Sequence, residues 1–205
     1  LEGVTPGTGL AYKWYRDNFC EPEVALAAET EQDAYQIIET SAAKILAGSE
    51  GLVLFPFMAY DLGIFYHLGF KHTKAHVARA ILEANGYSIK FYIDLMEGMI
   101  DLEFDELRID GGGTNSPLWR QIQADCVNKT VVTPKVKDST VIGAAILGTV
   151  GTGVYSSFEE AVENMFHVEE RRVPIPENVE IYKKQYEIYN KLLTTEMGNI
   201  LEAIS

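Results

Sequence analysis

Three consecutive glycines, Gly111 to Gly113, separate a short alternating apolar run from an amphipathic one, and few chain paths accommodate that arrangement. Leu107 and Ile109 alternate with Arg108 and Asp110 at a strand's period of two, whereas Leu118, Ile122 and Cys126 recur every fourth residue, as on one helix face. Arg120, Gln121, Gln123 and Asp125 are then expected to face elsewhere. The glycines admit positive φ and leave no side chain between the backbone and a ligand. Ser116 followed by Pro117 reads as an N-cap and first helical residue. The predicted unit is strand, glycine turn, helix, and the free N–H groups of such a helix start suit polar or anionic ligand atoms.

Taken alone, the glycine run leaves two readings open. Gly111, Gly113 and Ser116 occupy the glycine places of a dinucleotide-binding fingerprint, but the third is a serine, no acid downstream is placed to read a ribose, and no Walker lysine follows. A structural turn and a ligand turn both fit. Charge narrows the ligands. With 17 Lys and Arg against 30 Asp and Glu the formal charge is −13, and no basic run carries interleaved aromatics, so nucleic acid is not an expected partner. The two cysteines, Cys20 and Cys126, fit no CxxC or zinc spacing and suit a reducing, cytoplasmic setting as core residues. No secretory leader or membrane-spanning run is legible. Val141 to Val154 is uncharged but too short to span a bilayer, and with Gly143, Gly148, Gly151 and Gly153 it reads as a buried helix. No Pro/Gly/Ser linker divides the chain, so residues 1–205 read as one unit.

Along the chain, Leu1 to Thr8 reads as loop and Gly9 opens an aromatic helix, GLAYKWYRDNFC, with Leu10, Trp14 and Tyr15 toward the core and Lys13, Arg16 and Asp17 outward. Glu21 to Ala47 repeats Ala34, Ile37, Ile38, Ala42 and Ile45 at helical spacing and reads as scaffold. Gly51 to Phe57 is a buried strand. Thr73 begins a long helix with Val77, Ile81, Ala84, Phe91 and Leu95 on its inner face. His67, His72 and His76 lack an HExxH pattern or a full ligand set, so no metal site is expected there. Thr130 to Val136 is a β-branched strand, Asp138 or Ser139 caps the glycine-containing helix, and Ser156 with Glu159, or Ser157 with Glu160, forms a capping box for a helix over Phe158 to Phe166. Val168 to Pro176 reads as an irregular connector. Asn178 to Ser205 is a last helix whose Ile181, Tyr182, Tyr186, Tyr189 and Leu193 could pack on this domain or on a second copy. The order of elements gives an α/β domain.

Several stretches together carry a resemblance. DGGGTNSPLWRQIQAD followed by VVTPKVKDSTVIGAAILGTVGTGVYSSFEEAV, GIFYHLGFKHTKAHVARAILE, and the glycine with its W-x-R-D helix at Gly9 resemble, in order, motifs of the FGGY carbohydrate kinases. His67 departs from the family's glycine, Lys13 from a relative's glutamine, and a family loop is absent where Tyr60 passes to Asp61. The resemblance implies the ribonuclease H-like fold shared with actin and Hsp70 ATPase domains, with residues 1–205 an incomplete C-terminal domain lacking the amino-terminal sugar-binding domain. It implies ATP and Mg2+ as cofactors, a sugar or polyol as substrate with the xylulokinase and autoinducer-2 kinase branches closest in motif and a xylulokinase-like pentulose kinase expected, and an adenosine wall made by Gly9, Gly111, Gly112, Gly113 and Ser116. The family's catalytic aspartate lies upstream, and Asp61, Asp94, Asp110 and Asp138 match no catalytic position, Asp110 reading as structural. The fragment alone is expected to bind nucleotide weakly and transfer no phosphate. Other readings on the same fold are a nucleotide-driven switch and a non-catalytic interaction module.

Overall fold

The longest helix is buried all round through its middle, which makes it the centre of the packing. Helix α4 (Lys74–Ile100) has no exposed residue between Ala78 and Ser88. The computed structural model describes residues 5, 7–56, 63–100 and 103–196. Around α4 lie α1 (Thr8–Phe19), α3 (Ala34–Ala42), α5 (Pro117–Val127), α8 (Pro176–Lys191) and the strand β1 (Val53–Phe55). The α2 helix (Glu21–Thr30) braces α3. Gly86 sets the closest approach: a Cβ there would stand 2.6 Å from Cys126 Sγ on α5, so only a glycine lets the two helices meet at this distance. Leu95, expected inside, is exposed.

Strand β1 pairs antiparallel with β2 (Ile64–Tyr66), and a second sheet has the order β3-β4-β5. Strands β3 (Glu106–Arg108) and β4 (Thr130–Pro134) are parallel, joined by a crossover through α5, while β5 (Val168–Arg172) runs antiparallel to β4. The expected connector over Val168 to Pro176 therefore contains a strand. VEERR lacks apolar alternation because it is a sheet edge, held by Arg171 to Glu106 at 2.6 Å and Arg120 to Glu170 at 2.8 Å. Capping chemistry behaves as read: Ser157 caps α7 (Phe158–Met165), and the Glu160 carboxylate accepts from Ser156 N at 2.8 Å. Asp138 caps α6 (Ser139–Gly151).

Three expectations of burial need correction. Helix α6 has none of its residues buried, although it was read as an interior helix; Val141 and Leu147 stand exposed because the described residues place only α7 substantially against it. On α1 the inner face is Ala11, Tyr12 and Tyr15, whereas Leu10 and Trp14 are exposed and Trp14 packs on Phe19 at the surface, ring centres 5.0 Å apart. On α5, Gln123 and Asp125 are buried rather than outward. Polar partners make that tolerable: Gln123 donates to Asn85 Oδ1 at 2.7 Å, and Asp125 accepts from Ile175 N at 2.7 Å, Asn178 Nδ2 at 2.8 Å and Gln121 Nε2 at 2.7 Å.

A buried polar cluster joins α4 to two remote segments. The Glu83 carboxylate, fully enclosed, accepts from Arg79 Nε at 2.8 Å, Gly48 N at 2.9 Å, Ser49 Oγ at 2.7 Å and Tyr182 Oη at 2.9 Å. Arg79 also donates to Tyr182 Oη at 2.6 Å and Ile45 O at 3.2 Å. Burial pushes Glu83 up, and the Arg79 guanidinium opposes that push. Tyr182 and Tyr189 of α8 lie in this core, with Tyr189 stacked on Phe55 at 4.8 Å, so the tyrosine side of the last helix packs on its own domain. The junction between Tyr60 and Asp61, Phe57 of the first strand, and residues 197–205 of the expected last helix lie outside the described residues. No helix among the described residues is long and apolar enough to cross a membrane.

Candidate functional site

The glycine turn forms as its sequence requires. Gly111 adopts φ +84°, and a tight 3-10 turn over Gly112–Asn115 follows. Thr114, buried, closes it by donating from N at 3.0 Å and from Oγ1 at 2.7 Å to Gly111 O, and Arg120 Nη1 reaches Thr114 O. Ser116 caps α5 by accepting from Trp119 N at 2.9 Å, with Pro117 in the first turn. Gly113 lets Trp119 fold back against the turn, since a Cβ would lie 3.0 Å from the indole. Asp110 accepts from Ser139 N at 3.2 Å and so ties the turn to the start of α6, a structural part as expected.

This turn forms one side of a cavity of about 370 Å³. Helix α1 contributes Gly9 and Tyr12, the start of α3 contributes Asp33, Tyr35, Gln36 and Glu39, and the turn and α5 contribute Gly112, Gly113, Asn115, Ser116 and Trp119. Its walls are aromatic: the Tyr12 and Tyr35 rings lie 5.0 Å apart, Trp119 stands edge-on to Tyr12 at 6.0 Å, and the Arg16 guanidinium covers Tyr35 at 4.8 Å. Such walls accept a flat heteroaromatic ring. A Cβ at Gly9 or Gly112 would meet nothing within 4 Å, so at both positions the backbone is open to an incoming group. Gly9 belongs to the first turn of α1, where among the described residues no side chain caps the helix and no acid stands, so N–H groups and the positive dipole end face an incoming anion.

The electrostatics are uneven. Ser116 Oγ donates to Glu39 Oε2 at 2.6 Å, so the serine hydroxyl is occupied on both sides. Burial pushes the Glu39 carboxyl up, partly offset by that bond. Burial also pushes the Tyr12 phenol up, with Glu39 adding to the shift. Among the described residues, Tyr12 Oη and Trp119 Nε1 are enclosed without a hydrogen-bond partner. Asp33 is engaged as the N-cap of α3, accepting from Tyr35 N at 2.9 Å, and Asn115 Oδ1 accepts from Lys137 Nζ at 2.8 Å.

Of the residues singled out in sequence, Gly9, Gly112, Gly113 and Ser116 meet at this cavity, although Gly9 is remote in the chain from the other three. Gly111 does not line it; its N–H donates to Lys137 O at 3.3 Å and its role is the bend itself. Lys13 pairs with Asp17 at 2.8 Å on the exposed side of α1. Sequence reasoning passed over Tyr12, Tyr35, Gln36, Glu39 and Trp119. Trp119 stood beside the glycine run and was open to inclusion, but nothing local in Glu21 to Ala47 marks its start as a ligand wall.

The histidines are arranged for packing. His72 Nδ1 accepts from Gly69 N at 2.9 Å and His76 Nδ1 from Thr73 N at 3.1 Å, so this nitrogen of each ring is engaged by the backbone. His76 Nε2 lies 3.4 Å from Glu50.

Comparison with known proteins places the chain. Residues 1–152 match the C-terminal domain of the FGGY family of carbohydrate kinases. Autoinducer-2 kinase of Photorhabdus laumondii is 31% identical over 193 residues, covering 89% of this chain and 36% of that protein. Gluconokinase of Bacillus subtilis is 30% identical over 201 residues, covering 94% and 39%. The crystal structure of xylulose kinase from Rhodospirillum rubrum superposes with a TM-score of 0.76 at 26% identity, over 91% of this chain and 38% of that one. The chain thus spans about two fifths of the length of these relatives, and its fold is that of the sugar kinases, related to actin and Hsp70 ATPases.

Proposed function

Because the chain belongs to the FGGY family of carbohydrate kinases, we propose that the cavity between α1, α3 and the glycine turn holds the nucleoside of ATP. The observation that carries this reading is the convergence of Gly9, Gly112, Gly113 and Ser116 on one aromatic-walled space beside an uncapped helix start. Tyr12, Tyr35 and Trp119 would enclose the base, and the open glycine backbones allow the sugar to approach. The first turn of α1 would face the phosphates. Mg2+ would be carried on the phosphates themselves.

In the longer protein this domain would serve an ATP-dependent transfer of phosphate to a sugar or polyol hydroxyl, with a xylulokinase-like pentulose kinase as the nearest form. A hydroxyl would attack the γ-phosphorus, and catalysis would come mainly from positioning and charge stabilisation. The proton acceptor and the sugar site would lie in polypeptide outside these residues; Asp33, the aspartate at the cavity, is engaged as a helix cap. The uncovered apolar side chains of α6 agree with further polypeptide packing there. The kinase names of the relatives weigh against a switch or a silent module.

The test is titration of the 205-residue chain with MgATP, followed by a crystal soak with ADP. Saturable binding with the base against Tyr12 and Trp119, and no phosphate transfer to xylulose, gluconate or glycerol by this chain, is the expected result. A nucleotide bound away from the glycine turn, or sugar phosphorylation by this chain alone, would overturn the reading.

A further inference from the structure

A carboxylate is an awkward group for the wall of a nucleotide cavity, because it repels phosphates and loses hydration on burial. Glu39 nevertheless stands there, half-buried, beside Tyr12 and Ser116. If its only task were to accept from Ser116, a neutral amide would do so without a desolvated charge. An ionised carboxylate offers about four acceptor sites, and the hydrogen bond from Ser116 Oγ occupies one. Among the described residues Glu39 forms no ion pair: Arg120, the cation that influences it, is paired with Glu170 at 2.8 Å, and Asp33 acts on it with the same sign. The cavity therefore has two unlike sides, a free helix start at Gly9 that favours anions and a carboxylate at α3 that favours hydrogen-bond donors.

We infer that Glu39 is a specificity-determining residue that accepts a hydrogen bond from a donor on the nucleoside, a ribose hydroxyl or the exocyclic amine of the base. The inference rests on the nucleotide reading of this cavity and adds to it the group that reads the ligand. Ser116 is the positioning partner, since its bonds to Trp119 N and Glu39 fix the carboxylate against the start of α5. The polarity also orients the ligand: phosphates are drawn to the α1 start and repelled from Glu39, which leaves the nucleoside on the α3 side. A site built to receive a donor discriminates strongly against an analogue that lacks it, because the carboxylate is then left desolvated and unpaired.

The experiment is a binding titration of the 205-residue chain, followed by tryptophan fluorescence, with ATP, 2′-deoxy-ATP, 3′-deoxy-ATP and purine riboside triphosphate, which lacks the 6-amino group. One analogue should bind the wild type about tenfold or more weakly, as for loss of one charge-assisted hydrogen bond. The analogue that fails names the source of the donor, ribose or base. In Glu39→Gln the gap between ATP and that analogue should narrow severalfold, and Glu39→Asp, which keeps the charge but withdraws it, serves if the first variant does not fold. If ATP binds but every analogue stays within twofold of it, or the variants keep the full gap, the role of Glu39 is refuted and the cavity reading stands. If no nucleotide binds the folded wild-type chain, both fall.

Discussion

Replacing Glu83 by glutamine keeps the shape of the side chain and removes its charge, which isolates what the buried cluster contributes. In the folded chain Arg79 is almost fully enclosed, and its partners would be the amide oxygen at position 83, Tyr182 Oη and Ile45 O, none of them charged. Removing one member of a buried ion pair leaves an uncompensated charge and costs about 3–5 kcal/mol, against a total stability of about 5–15 kcal/mol for a domain. Adding Arg79→Met to Glu83→Gln removes the stranded charge. The amide at position 83 stays in place, its oxygen able to accept from Gly48 N or Tyr182 Oη and its nitrogen to donate to Ser49 Oγ, so these enclosed groups are not orphaned. The double variant should therefore be more stable than the single one. Urea unfolding followed by far-ultraviolet circular dichroism measures both. A loss below about 1 kcal/mol in Glu83→Gln, the scale of an exposed pair, would show that the enclosure and charge pairing of this cluster do not hold in solution. A double variant no better than the single would show that stranding of Arg79 is not the main cost.

Other consequences can be checked separately. Gly86→Ala should destabilise by about 1–3 kcal/mol, the range for an overpacked core, since the added methyl would meet Cys126 at 2.6 Å and outweigh the better helix propensity of alanine; the denaturation midpoint decides it. Ser116→Ala should cost about 1 kcal/mol through loss of the α5 cap and should weaken ATP binding as well, because Glu39 loses the donor that holds it. Burial raises the Glu39 pKa in the folded chain, so its contribution to stability is intact below the ordinary carboxylate value and is lost as pH rises through the raised one. Glu39→Gln should thus melt no lower than wild type at neutral pH, with the difference closing toward about pH 4. Gly113→Ala should displace the Trp119 indole, a shift visible in the emission spectrum, and lower affinity for ATP more than it lowers stability.

What was legible in the sequence was chemistry that acts over a few residues. The turn at Gly111 to Gly113, the Ser116 cap with Pro117, and the caps at Asp138 and Ser157 follow from local backbone demands, and each forms. The long helix over residues 74–100 follows from its periodicity, and the FGGY motifs carried the fold. The remainder depended on which segments approach each other. Glu39 and Tyr35 become cavity residues only because α3 lies opposite the glycine turn, and no periodicity within Glu21 to Ala47 encodes that. Asp125 and Gln123 look like surface residues until the start of α8 and Asn85 supply their partners. Strand β5 escaped notice because an edge strand need not alternate, and α6 misled because its apolar composition carries no information about whether its neighbour is present.

The carboxylate of Asp125 shows what the region after residue 152, where the match to the family's C-terminal domain ends, does for the fold. Its oxygens hold Ile175 N and Asn178 Nδ2, the first turn of α8, and that helix sends Tyr182 to Glu83. A polypeptide cut where the family match ends would strand a buried acid on α5 and remove two tyrosines from the interior. The end of the match to the family's C-terminal domain and the border of cooperative folding therefore fall at different places in this chain. A clone designed on the first would yield a piece unable to hold the glycine turn in shape, however complete its motifs.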